Sequence, residues 1–593
     1  MRVRLALLAG LMTCCVFLQG VQAAPPQFGE LIEVNVVNVD IHVTDRAGRL
    51  VTDLRREDFE VFEDGKRVEL THFRVVTADA QPTAAAPPPP SPSQPAVAPA
   101  PPSAPQLPAE ERLHLIVYVD NFNLSPHHRT RVLKQLRGFL KDLGPADRVM
   151  LATNDMSMNV RLPFTSDPAA LEAALDEIEK LPTFGQESAN ERRQIVHRIL
   201  ELREAVRVFD GPCSNMLLAP AESYAETTRQ EVLRSINAMT VLVNSLSGVP
   251  GRKALLHVSD GLPVTPGEEA YQLLVELCGG GTQSGIEDVF DGDLLDQNVQ
   301  ISGRTLMIKA QGYSTVADFD KLAAHANANR VTLYTLQASG LGATGADAGG
   351  FGLEERMYQL PSMQSIYIAN LQNSLSLLAT ETGGRAIFNA NDMTSDLRRI
   401  QDELGSYYSL AYSPAHTGDA RQHRIEVKVR RPGLQVRYRK GYRDKPAIER
   451  AVDRTLAAVY HGFEENPLDV TLEMGAQRMT EGSLVSVPIK LRIPLFKLGI
   501  FPQPDGTYRG RLRLLVSTRD GKGGVSPMRQ VEVPLQIPRE EVLYAMGKFY
   551  DYELTLNLAP GEQHVAIAVW DESTATTSVL SRTLTVSAPS ATR

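Results

Sequence analysis

In the stretch 114–119 (HLIVYV), the five residues after His114 form an unbroken apolar and β-branched run that ends in Asp120-Asn121-Phe122-Asn123-Leu124-Ser125-Pro126. A run without polar alternation fits a strand buried on both faces, and such a strand needs helices above and below it. The pattern recurs: strands are expected at 148–153, 253–259, 331–337 and 385–389, with a shorter one near 160–164. Helical periodicity fills the intervals, at 129–143, 169–181, 190–209, 222–246, 316–328, 365–380 and 393–404. Asp167-Pro168 marks one helix start. The stretch between Gly261 and Val316 reads as irregular. Alternation on this scale means parallel strands joined by crossover helices, so a doubly wound, mostly parallel sheet of Rossmann-like form is expected over 111–406, with helical insertions.

The chain on either side has a different rhythm. Residues 28–77 alternate apolar and polar positions around the turns Asp45–Gly48 and Glu63–Lys66, which predicts a small N-terminal β domain. Residues 78–110 are almost all Ala, Pro, Ser and Gln, a composition that cannot bury a core and reads as an extended, disordered linker. Strand patterning returns at 407–445 as an antiparallel extension, and 446–466 reads as a helical connector. From 467 to 590 short strands and turns predict a C-terminal β-sandwich. The fold class expected is thus multidomain α/β plus β, consistent with 593 residues being too many for one core.

A net charge of −9 supplies no basic field for nucleic acid. At the N-terminus, Arg2 and Arg4 precede the apolar run 5–18 and then Val21-Gln22-Ala23, the order of a secretory signal peptide over 1–23. The run is shorter than the roughly 20 residues a membrane span needs. Export to the periplasm or the medium is expected, with no transmembrane segment in the mature chain. Cleavage leaves Cys213 and Cys278 from the four cysteines. In an oxidising compartment these either form one disulfide or remain two separate thiols, and the sequence leaves both readings open.

Several stretches together resemble the von Willebrand factor A domain, and in particular the secreted acidobacterial proteins that carry one. They are Val43-Thr-Asp-Arg-Ala-Gly48, Glu57-Asp-Phe59, Glu63-Asp-Gly65, Leu378-Ala-Thr-Glu-Thr-Gly-Gly384, Tyr407-Tyr-Ser-Leu-Ala-Tyr-Ser-Pro414 and Arg439-Lys-Gly-Tyr442. The resemblance spans about 30–443 and leaves the final sandwich uncovered. It implies Mg²⁺ or Mn²⁺ held by an Asp-x-Ser-x-Ser motif, a threonine and a later aspartate, oxygen ligands that suit a hard cation and leave a position for a partner's carboxylate. Carried over, Asp120 matches the first aspartate and Asp260 the last, with Asn123 and Thr183 assisting. Phe122 and Leu124 stand where the serines belong, so the site is read as degenerate.

Other constellations carry less. Asp288, Asp291, Asp293 and Asp296 lack the EF-hand spacing and read as solvated loop. His257, Ser259 and Asp260 lack a nucleophile elbow. The glycines of 340–352 read as loop, and Arg192-Arg193 with His197 and Arg198 as the wet face of a helix. The function expected is a non-enzymatic interaction or adhesion protein that binds a protein or cell-surface ligand at the C-terminal edge of its sheet. The alternatives are an exported hydrolase with unrecognised catalytic residues and an envelope assembly scaffold.

Overall fold

The computed structural model describes residues 36–77, 112–144, 147–207, 215–278, 303–340, 361–479 and 484–587. The expected signal peptide, the linker, Cys213, the acidic loop and most of the glycine loop lie outside these residues, as does the side chain of Cys278, so the disulfide expectation does too.

Four strands come first: β1 (Val37–Thr44), β2 (Phe59–Glu63), β3 (Lys66–Val68) and β4 (Leu70–Val76). The α/β region runs β5 (Leu113–Val119), α1 (Pro126–Lys141), β6 (Arg148–Asn154), β7 (Met158–Thr165), α2 (Pro168–Lys180), α3 (Gly185–Arg207), α4 (Asn215–Ser245) and β8 (Arg252–Ser259). It continues with α5 (Glu268–Cys278), α6 (Gly303–Gln311), α7 (Val316–Ala328), β9 (Val331–Gln337), α8 (Pro361–Thr382), β10 (Ala386–Ile387) and α9 (Thr394–Gly405). Helices α5 and α6 occupy ground that the sequence reads as irregular. They pack with α3 and α4 in a separate cluster around Ile199, Leu218, Tyr271 and Leu306, away from the sheet.

The sheet order is β10-β9-β8-β5-β6-β7. β5, β6, β8, β9 and β10 run parallel and β7 is antiparallel at the edge. Alternate residues of β5 explain the helices on both sides. Leu115, Val117 and Val119 face α1, α2 and α9, whereas Ile116 and Tyr118 face α4 and α7. The chain leaves β5 in one direction for β6 and returns on the other side as β8, and this reversal opens a crevice at the strands' C-terminal ends.

The 28–77 and 407–445 segments, separate in the sequence reading, share two sheets. β11 (Tyr407–Tyr412), β12 (Gln422–Val429), β13 (Gln435–Arg437) and β14 (Gly441–Arg443) interleave with the first four strands in the orders β13-β1-β11-β4 and β14-β12-β2-β3. Ile41, Phe59, Val61, Tyr408, Leu410 and Ile425 fill the core between them. The motifs that carry the family resemblance meet at this junction. Lys440 N donates to Glu381 O at 3.1 Å, Arg437 Nη1 to Gly384 O at 2.9 Å, and the Tyr408 hydroxyl to Val51 O at 2.9 Å. Gly383 has φ +82°, and a Cβ there would lie 2.5 Å from the Tyr438 carbonyl carbon, so no other residue fits.

Helix α10 (Ala447–His461) follows, then β15 (Thr471–Met474), β16 (Arg478–Met479), β17 (Val485–Pro494), β18 (Phe501–Pro502), β19 (Thr507–Asp520), β20 (Arg529–Pro538), β21 (Phe549–Leu558), β22 (Gly561–Asp571) and β23 (Thr576–Val586). One sheet gathers β15, β16 and β21 around β17, and the other joins β18, β19, β20, β22 and β23. Their facing side chains, among them Val487, Leu491, Leu514 and Ile567, form one core. α10 is more than a connector: Ala458 and Val459 cover the outer face of the second sheet beside Leu515 and Trp570. On its other side His461 Nε2 lies 2.9 Å from Ser245 O at the end of α4.

Candidate functional site

β5 ends at Val119, and Asp120 caps a single 3₁₀ turn, Asn121–Asn123. Ser125 then caps α1, its hydroxyl accepting from His128 N, with Pro126 in the first helical position. Phe122 and Leu124 are buried because the turn folds them inward. Leu124 joins the core under α1 and α2, and Phe122 packs on Phe184 with ring centroids 6.0 Å apart.

Asp120 is 1 % exposed. Its Oδ2 accepts from Asn123 Nδ2 at 2.8 Å and Ser259 Oγ at 3.1 Å, and its Oδ1 from Asn154 Nδ2 at 2.9 Å. Ser235 Oγ of α4 accepts from both amides, at 3.0 Å and 3.4 Å. Neutral donors on both oxygens let a carboxylate stay buried without a counter-ion in contact. Beneath it, His257 is fully buried with neither ring nitrogen hydrogen-bonded, Nε2 lying 3.5 Å from Asp120 Oδ2. Tyr118 stacks at a tilt on His257. Burial, with the charge of Asp120 adding to it, pushes its phenol well above the ordinary value.

Asp260 stands at the rim, partly exposed. His128 Nδ1 approaches its two oxygens at 3.0 Å and 2.8 Å, and Ser125 N donates to Oδ2 at 3.2 Å. A carboxylate only accepts, so Nδ1 of His128 carries the proton in this contact. Asp260 N donates to Asn123 O at 3.3 Å. Asn123 therefore joins the two aspartates, one through its side chain and one through its carbonyl.

Thr183 reaches the same turn by backbone ties on its C-terminal side. Phe184 N donates to Asn121 O and Gly185 N to Leu124 O, each at 3.1 Å. A Cβ at Gly185 would lie 2.6 Å from the Leu124 carbonyl carbon, so glycine is required for this approach. Thr183 Oγ1 is buried without a hydrogen-bond partner.

The structure thus brings Asp120, Asn123 and Asp260 into direct contact and sets Thr183 against their turn. The donor set fits a divalent ion poorly. Both Asp120 oxygens are taken by protein donors, Asn123 turns an N–H toward Asp120, and Asp260 is engaged by His128. His257, Ser259 and Asp260 likewise form no relay, since Ser259 donates to Asp120 and Asp260 turns to His128. Arg192, expected on a wet helix face, instead stacks over the Tyr367 ring at 4.2 Å. Sequence reasoning missed Asn154, Ser235 and His128. The first ends a strand beside β5 and was open to discovery from that position. Ser235, in the middle of a long helix, gives no sequence signal.

No family model and no curated protein matches the chain. Among solved structures, the chain is similar to a von Willebrand factor type A protein from Catenulispora acidiphila, with 10% identity over 81% of this chain and 66% of that one and a TM-score of 0.21. It is also similar to an aerotolerance-related membrane protein from Bacteroides fragilis, at 10% identity over 49% of this chain and 98% of that one, TM-score 0.23. A third comprises the three N-terminal domains of the type V pili tip protein Mfa5 from Porphyromonas gingivalis, at 9% identity over 94% of this chain and 77% of that one, TM-score 0.24. Superpositions this slight carry no argument about activity.

Proposed function

We propose that the protein is an exported, non-enzymatic interaction protein that binds a protein or cell-surface ligand over the C-terminal edge of its parallel sheet. The observation that supports this most is the partly exposed His128–Asp260 pair at that edge, mounted on a turn whose other polar groups are tied down. Ligands gather at the ends of parallel strands where the order reverses, and a rigid rim with one acidic and one imidazole group offers polar contacts at little entropic cost. We also propose that Asp120, Asn123, Thr183 and Asp260 are a degenerate form of the Mg²⁺ or Mn²⁺ site, in which the chain's own donors stand where an ion would. No helix among the described residues is long and apolar enough to cross a membrane.

The test is capture of ligand from envelope and supernatant fractions by the full chain, with and without EDTA, alongside Asp260→Ala. The reading expects a species retained in EDTA and lost with Asp260→Ala. Equal retention by the variant would remove the edge as the binding surface. Loss in EDTA that Mg²⁺ or Mn²⁺ reverses and Zn²⁺ does not would restore the ion.

A further inference from the structure

A second group of titratable side chains lies in the interleaved β domain, away from the sheet edge. Glu63 ends β2 and is 8 % exposed. Its Oε1 accepts from the Tyr412 hydroxyl at 3.0 Å and the Tyr442 hydroxyl at 2.5 Å. A carboxylate only accepts, so both hydroxyls donate and fix it in place. Oε2 is thereby turned toward His416 Nε2, 3.5 Å away.

That approach is the unusual feature. His416 Nδ1 contacts Asp444 Oδ2 at 3.0 Å, and a carboxylate there holds the ring proton on Nδ1 and leaves a lone pair on Nε2. Nε2 is buried without a hydrogen-bond partner. An imidazole lone pair and a carboxylate oxygen facing one another in a buried site need positive charge between them. A proton at 3.5 Å makes a poor hydrogen bond; a metal ion coordinated by both is the better occupant. His423 supplies a second imidazole. Its ring stacks on His416 with centroids 3.9 Å apart and an interplanar angle of 14°, and its Nδ1 is oriented by Asp64 Oδ2 at 2.8 Å. Its Nε2 lies 3.2 Å from Asp419 Oδ1.

Glu63, His416 and His423 each offer a ligand atom within 4.8 Å of the others, and His416, Asp419 and Asp444 form an overlapping group. We propose that Glu63, His416 and His423 hold a divalent transition-metal ion of the Zn²⁺ class, with Tyr412, Tyr442, Asp444 and Asp64 orienting the ligands from behind. Two imidazoles and one carboxylate suit such an ion far better than Mg²⁺ or Ca²⁺, which prefer all-oxygen sets. Binding draws the ligands inward to about 2.0–2.2 Å from the ion; it turns the two imidazoles out of their stack, since the lone pairs of parallel rings do not converge on one point, and it displaces the proton that His423 Nε2 shares with Asp419. Asp419 is placed to fill a further position. The ion has a structural role: Glu63 precedes the α/β region and both histidines follow it, so coordination clips the two halves of the β domain together.

The test uses the full chain stripped of metal. Co²⁺ is added as a spectroscopic probe of nitrogen and oxygen coordination, and Zn²⁺ affinity is measured by competition with a chromophoric chelator. The proposal expects one equivalent of Zn²⁺, a visible Co²⁺ band, and a higher melting temperature with Zn²⁺. Glu63→Gln keeps an oxygen for the tyrosines but removes the charge, and should weaken Zn²⁺ at least tenfold, as should His416→Ala; His564→Ala in the sandwich should change nothing. Far-UV circular dichroism establishes that the variants are folded, and Glu63→Gln is the variant to read if His416→Ala is not. A wild-type chain without the band, or binding that survives both Glu63→Gln and His416→Ala, overturns the site and leaves the groups sharing protons alone.

Discussion

Replacing Asp120 by alanine tests whether the chain's own donors compensate the buried carboxylate. The substitution deprives Ser259 Oγ, Asn123 Nδ2 and Asn154 Nδ2 of their shared acceptor. The two amides keep Ser235 Oγ, at 3.0 Å and 3.4 Å, so the loss is equivalent to about two buried donors left without a full partner. At about 1–3 kcal/mol for each such group, the expected destabilisation is about 2–6 kcal/mol. Asp120→Asn preserves the shape and one oxygen, and should cost about half as much. Urea unfolding at pH 7 with two probes locates the effect. The chain has one tryptophan, Trp570, which lies between the second sandwich sheet and α10, so its fluorescence follows the C-terminal part. Circular dichroism at 222 nm follows the helices of the α/β region. The dichroic midpoint should fall and the Trp570 midpoint should fall less. An Asp120→Ala chain with the wild-type dichroic midpoint refutes the reasoning. So does a wild-type chain whose dichroic midpoint rises with added Mg²⁺ or Mn²⁺ while that of Asp120→Ala does not, because a cation would then be the compensating charge.

Gly185→Ala forces a methyl group to 2.6 Å from the Leu124 backbone and should cost about 1–3 kcal/mol in the same dichroic transition, as overpacking does. His114 and His461 sit in an aromatic cluster with Phe164 and Phe463, and burial lowers both imidazoles to about 4. A base depressed in the folded state favours folding fully above its unfolded value near 6.5 and less as pH falls from there toward 4. Stability should therefore decline across that window, and His461→Phe, which cannot protonate, should flatten the decline in urea midpoints measured from pH 7 to pH 4. Deleting residues 36–77 uncovers the β11 and β12 backbones that β1, β4 and β2 now pair. Exposed strand edges of this kind associate, and size-exclusion chromatography should show oligomers where the intact chain gives one discrete species.

The parallel core was legible because burial on both faces leaves a mark in the sequence itself, as 114–119 and 253–259 show. Pairing between distant strands leaves none: β1 and β11 each alternate like any half-buried strand, and nothing local states that Ile41 will face Tyr408. Helices α5 and α6 were hidden because their apolar residues face a satellite cluster and are flanked by residues with no clear period. At the site, Asp120 and Asp260 were recognisable from their places at strand ends. Asn154 followed the same logic unnoticed, and Ser235 depends on how α4 crosses the sheet. The group around Glu63 escaped because Glu63 lies on the far side of the α/β region from its partners, and His416, Asp419 and His423 alone match no familiar ligand spacing.

The interleaved β domain also sets a schedule for assembly. Glu63 and its hydroxyl donor Tyr412 are 349 positions apart in the chain, so at about 5–20 residues per second roughly 20–70 s of synthesis separate them. Throughout that interval β1 and β4 lack the strands they pair with, and β2 has only β3. The first strands made are therefore among the last to be completed, and a chaperone that shields open strand edges would find its natural client in the newborn N-terminal segment.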